Sequence, residues 1–116
     1  MADLETYDKP VEFPVVIATG KEWHSKPITL HEGDIVTVTA LGNDKFYAGF
    51  FDRVTYVRRR GTALGSFAFD FGTDKLSWTT RKTLEEDDDY YLVFRAGVFT
   101  SGFTTISVRW LLTHPR

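Results

Sequence analysis

Over most of the chain, apolar side chains fall on every second position. In TTISVRWLLT, residues 104–113, Ile106, Val108, Trp110 and Leu112 recur with a period of two. That spacing lines them along one face of a β-strand. YYLVFRAG (90–97) likewise directs Tyr90, Leu92, Phe94 and Ala96 one way, and leaves Tyr91 and Arg95 on the other. DIVTVTAL (34–41) sets Val36, Val38 and Ala40 against Thr37 and Thr39, and VEFPVVIA (11–18) groups Phe13, Val15 and Ile17. SFAFDF (66–71) alternates Phe67, Phe69 and Phe71 with small or polar residues, and LSWTTRKTL (76–84) carries Trp78.

Turn signals separate these runs: TGKE, HEGD with Gly33, GND at 42–44, GTALG, GTDK and VFTSG. Their spacing of about 8–12 residues is that of an all-β domain. KFYAGFFDRVTYVRRR (45–60) reads as one long bent strand or two, bending at Gly49 or at Asp52–Arg53. No segment sustains helical periodicity over three turns, so no helix is expected. Pro14 and Pro27 mark edge strands, because proline cannot donate to a ladder.

The pattern therefore predicts an all-β fold, an antiparallel eight-stranded β-sandwich of jelly-roll or Greek-key type, with a closed barrel as the second architecture. Each sheet would keep one wet and one buried face. The expected core draws on Val36, Val38, Phe67, Phe69, Phe71, Trp78, Leu92, Phe94, Val108 and Trp110. Partly blunted edges leave self-association through edge strands open.

Composition narrows this further. The 116 residues suit one domain, read as a flexible lead-in over 1–10 and a single domain over 11–116. Aromatics at 16% let a small core be dense. The chain has no cysteine, which excludes disulfides, thiolate metal sites and cysteine nucleophiles. A net charge of −2 gives no reason to expect nucleic-acid binding. The opening MADLETYDKP has neither a basic nor an apolar signal region, so no signal peptide is expected. No apolar run is long enough for a membrane span.

Candidate chemistry is sparse. Five consecutive acids, Glu85–Asp89, suggest calcium, but residues on an extended chain point alternately and the run lacks a glycine. A solvated turn that protects the strand behind it is the preferred reading. Arg58-Arg59-Arg60 reads as a polar strand end, with an anion site as the alternative. His24, His31 and His114 lack the spacing of a zinc site. No nucleophile motif or phosphate cradle is present. No catalytic residue, metal or cofactor is therefore assigned. The candidate ligand-binding residues are Trp23, Tyr47, Tyr91 and Arg95: aromatic faces outside the core with a polar partner, as sugar stacking requires.

The order ITLHEGDIVTVTAL … EEDDDYYLVFRAG … TTISVRWLL resembles β-sandwich accessory domains of the bacterial pre-peptidase C-terminal and GOLD types. The likeness rests on Gly33-Asp34 opening a Val/Thr strand, an acidic turn before Tyr90-Tyr91, and the alternation of Ile106 and Val108. It implies a non-catalytic binding or interaction module, with carbohydrate or a protein as partner. The alternative is a structural or assembly protein, such as a jelly-roll capsid, spike or shell subunit.

Overall fold

Alternation becomes strand throughout the computed structural model, which describes residues 3–60, 75–97 and 102–115. The elements are β1 (Val11–Ala18), β2 (Glu22–His24), β3 (Ile28–Leu30), β4 (Ile35–Asp52), α1 (Arg53–Arg60), β5 (Lys75–Thr83), β6 (Asp88–Ala96) and β7 (Phe103–Thr113). All-β architecture holds, built from antiparallel pairs apart from one isolated bridge between Tyr7 and Leu112.

The described residues do not form the expected eight-stranded sandwich. They form one seven-stranded sheet, ordered β1-β7-β4-β6-β2, with β3 also on β6 and β5 also on β4. The reason lies in β4. Its first half pairs with β7 and β5, and its second half pairs with β6. Gly42-Asn43-Asp44, expected as a turn, is a bulge inside this one strand, with a register shift between Leu41 and Phe46. A Cβ on Gly42 would lie 2.6 Å from the Asp44 carbonyl and 2.7 Å from the Phe46 ring, so only glycine permits this bend. Asn43 Oδ1 accepts from Thr105 N–H (2.9 Å) and Asp44 Oδ1 from Lys45 N–H (2.8 Å). Side chains thus satisfy backbone groups that would otherwise favour a chain reversal.

The bend curls the sheet into a half-barrel around a single inner face. Val36, Val38, Leu92, Phe94, Val108 and Trp110 are buried there as the alternation requires, and Trp78 is half-buried against Phe94. Phe67, Phe69, Phe71 and the strand expected at 66–71 lie outside the described residues. Burial of each large apolar side chain stabilises the fold by about 1.5–3 kcal/mol.

The two proline-bearing edges end the sheet on opposite sides. β1 pairs with β7, and β2 and β3 share one edge of β6. Between β2 and β3, the ladder is continued by Ser25, whose N–H donates to the Leu92 carbonyl and whose Oγ accepts from Leu92 N–H, both at 2.9 Å. Curling brings these edges together at Phe13 and Trp23, whose ring centroids are 5.9 Å apart. The two strands form no ladder, so the barrel keeps a seam.

Residues 3–8, expected as a lead-in, dock across this region. Leu4 enters the core, and its carbonyl accepts from the buried Trp110 indole N–H at 2.9 Å. That bond explains the packing, since a buried indole nitrogen needs an acceptor.

Candidate functional site

The seam holds a recess of about 180 Å³. Trp23, Phe13, Pro27 and Ile28 form its apolar wall, and Asp3, Glu5, Ser25 and Lys26 supply polar groups. The sequence dictates this split. β2 is only three residues long and lies on the outer edge of β6, where Pro27 interrupts the pairing before β3, so Trp23 stands at the margin of the core and not inside it. Its ring lies between Phe13 and Phe94, 5.9 Å from each and tilted by 38° and 40°. The indole is half-buried, neither a core residue nor a bare platform.

The polar rim is partly committed. Asp3 accepts from Glu5 N–H and from the Thr6 hydroxyl, both at 2.9 Å, and the Glu5 bond above all holds its carboxyl below the ordinary range. Asp3 is therefore ionised at neutral pH. A cavity of about 150 Å³ suffices for benzene, so this recess accommodates one six-membered ring and not an extended chain.

The other three sequence candidates lie on the opposite side of the sheet. Trp23 pairs with inward-facing Phe94, whereas Tyr47 pairs with Arg95 and Tyr91 with Phe51. The Arg95 guanidinium sits 5.4 Å from the Tyr47 ring centroid, a cation–π contact. Tyr91 does leave the core, but it is not a free stacking surface. Tyr56 of α1 covers it, ring on ring at 3.8 Å and 9°. The four candidates therefore form no common site: Tyr47 and Arg95 meet, Tyr91 is capped, and Trp23 faces the seam.

The cap is α1, which the alternation test missed because eight residues are too few for it. Asp52 is its N-cap, accepting from Thr55 N–H at 2.8 Å, and hydrogen bonds from Thr55 hold the Asp52 carboxyl below its usual range. Arg58, Arg59 and Arg60 occupy its last turn, where they complement the helix dipole. An acidic N-cap and a basic last turn were the available signals. The basic run is thus a helix end and not a strand end. Tyr56 packs on Val93, and its hydroxyl lies 2.7 Å from His24 Nδ1, while His24 Nε2 lies 2.9 Å from Glu22. Nε2–H donating to Glu22, with Nδ1 accepting from Tyr56, satisfies all three groups.

A second cluster surrounds Asp34, which is 0% exposed. Its carboxylate accepts from the Tyr7 hydroxyl (2.6 Å), His31 N–H (2.9 Å) and His114 Nδ1 (2.6 Å). Burial pushes its pKa up, but these donors outweigh it and the net shift is downward. The same bond raises Tyr7 to about 12. Gly33 has φ of +87°, and a Cβ there would lie 3.3 Å from the His114 ring. The cluster ties both chain ends to the turn before β4.

The acidic run proves to be a bend at Glu85–Glu86 that leads into β6. Asp87 accepts from Glu32 N–H (2.7 Å) and Asp89 from the Thr29 hydroxyl (3.0 Å), so these acids serve local turn bonds. Among the described residues, no three His, Asp or Glu side chains are grouped to hold a metal ion. Among the same residues, no helix is long and apolar enough to cross a membrane.

The geometry defines a curled antiparallel β domain with a small aromatic recess at its open seam. No family model matches the chain, and no curated protein is significantly similar to it.

Proposed function

We propose that the chain is a non-catalytic binding module whose seam recess holds one ring of a ligand, with carbohydrate as the preferred class and a protein side chain as the alternative. The observation that carries this reading is the half-buried Trp23 indole in a recess of about 180 Å³ that also offers an ammonium, a hydroxyl and carboxylates. A flat apolar face binds the C–H side of a sugar ring, and mixed donors and acceptors read its hydroxyls. The resemblance to pre-peptidase C-terminal and GOLD-type domains supports the same class.

A glycan array, followed by titration of any hit against Trp23→Ala and Lys26→Ala, tests it. Lys26→Ala, on the exposed rim, leaves the melting temperature unchanged and weakens binding several-fold. Trp23→Ala weakens binding about 10- to 100-fold, equivalent to roughly 1.4–2.8 kcal/mol. Retained affinity in both variants, or no hit in the array and in a titration of monosaccharides and basic or aromatic peptides, refutes the recess.

A structural or assembly role is the second reading. It is favoured by the outer face of β1, β4 and β7, which exposes Val16, Leu41 and Phe103. Large regular oligomers in size-exclusion chromatography would select it.

A further inference from the structure

The outer surface of α1 carries a feature that the recess does not use. Val54 and Val57 are 63% and 60% exposed. Three residues apart on a helix, they share one face. Arg53 and Arg58 flank them, and these four side chains with Asp88 line a shallow open groove. Asp88 opens β6, directly after the bend that exposes Glu85, Glu86 and Asp87. The surface therefore has a cationic half on α1, an anionic half on the bend, and an exposed apolar pair in the groove beside them.

Such a surface is complementary to itself. A two-fold rotation about an axis near the valines places α1 of one copy on the acidic bend of the other, and the reverse contact follows by symmetry. That is the requirement for an isologous interface. An acidic partner would be attracted by α1 but repelled by the adjacent bend. A basic partner would meet the opposite conflict. A second copy satisfies both halves at once.

We propose that two copies of this chain pair through α1 and the acidic surface formed by the Glu85–Asp87 segment and Asp88 at the start of β6, with Val54 and Val57 packed at the centre. The pairing closes on itself and is independent of the recess reading. Its charges lie at the surface, so salt screens it.

Sedimentation equilibrium of the whole chain, over a range of concentrations at low and at high salt, tests the proposal. The expected result is a monomer–dimer equilibrium whose dissociation constant rises more than tenfold at about 1 M salt, where the Debye length is about 3 Å. Arg53→Glu/Arg58→Glu abolishes the dimer, and so does Glu85→Lys/Glu86→Lys, because each makes both contacts repulsive. Mixing these two variants restores a dimer containing one of each. All substituted positions are exposed, and a thermal melt confirms that each variant is folded. A monomer under every condition overturns the proposal, as does a dimer indifferent to both charge reversals or a mixture that fails to pair. Binding of wild-type monomer to polyglutamate or to anionic phospholipid vesicles, without self-association, also overturns it and assigns the surface to that partner instead.

Discussion

Two trios built from the same three chemistries hold this domain together in different ways. In one, the carboxylate is central: Asp34 accepts from Tyr7 on one side and His114 on the other. In the other, the imidazole is central: His24 bridges Glu22 and Tyr56. The difference is where the charge sits. Asp34 places a full negative charge at a position closed to solvent, and every donor around it is needed to offset desolvation. His24 places an imidazole in the middle, and its carboxylate partner Glu22 keeps partial contact with solvent, its side chain 14% exposed. The first trio is a hub that the fold depends on. The second is a tether that ties α1 to β2, alongside the packing of Tyr56 on β6.

Breaking the two centres separates these roles most strongly. Asp34→Ala removes the hub and deletes the hydrogen bonds from Tyr7, His114 and the His31 N–H, with an expected loss of about 3–5 kcal/mol in chemical denaturation. Both chain ends should loosen with it. Tyr56→Ala removes the anchor of α1. Its cost is expected to be smaller, about 2–3 kcal/mol, because one side of the cavity opens to solvent and the helix can detach. Hydrogen exchange in that variant should rise over residues 53–60 and stay unchanged in β7. Equal effects of the two substitutions, or protection lost uniformly, would erase the distinction between hub and tether.

Removing single hydroxyls sharpens the contrast. Tyr7→Phe deletes a hydrogen bond to a carboxylate and should cost about 1.5–2 kcal/mol, whereas Tyr56→Phe deletes a bond to an imidazole and should cost about 1 kcal/mol. A larger effect for Tyr56→Phe would place the charge on the wrong trio.

The smallest effects are those of pH. Asp34 has a lowered pKa in the fold, so its contribution is present above the unfolded value of 3.8 and is lost as pH falls through the folded value. Asp34→Asn should flatten that acid limb of the stability curve. Tyr7 is raised from 10.0 to about 12, so its contribution is complete below pH 10 and is lost as pH rises to about 12. Tyr7→Phe should remove that alkaline dependence, as measured by denaturant midpoints across pH.

Much of the fold could be read from local pattern. Ile106, Val108, Trp110 and Leu112 are all buried, as are Tyr90, Leu92, Phe94 and Ala96. Period-two alternation is a property of neighbouring residues and survives whatever the sheet does. Less of the candidate site was legible. The place of Trp23 beside a turn marks it as a candidate and it does line a recess, but its partners Phe13, Asp3 and Glu5 come from segments that no local pattern joins to it. Alternation places Tyr91 away from Leu92 and Phe94, as the structure does, yet nothing near it in sequence announces that Tyr56 covers it.

The boundary between the two kinds of knowledge follows from range. Most of the described strands, their inward faces, the edge prolines and the glycine at the turn before β4 depend on residues within a few positions of one another, so the sequence by itself determined them, whereas Arg53–Arg60, expected as strand, is helix. Three features depend on distant groups, and only the tertiary structure decided them. Gly42–Asp44 carries a turn signal, but Thr105, more than sixty positions away, supplies the donor to Asn43 that lets the strand run through as a bulge. Asp34 is an ordinary turn residue until His114, separated from it by 80 positions, closes on its carboxylate. The recess exists because the curl brings β1 to β2 without a ladder between them, and curvature is a property of the whole sheet.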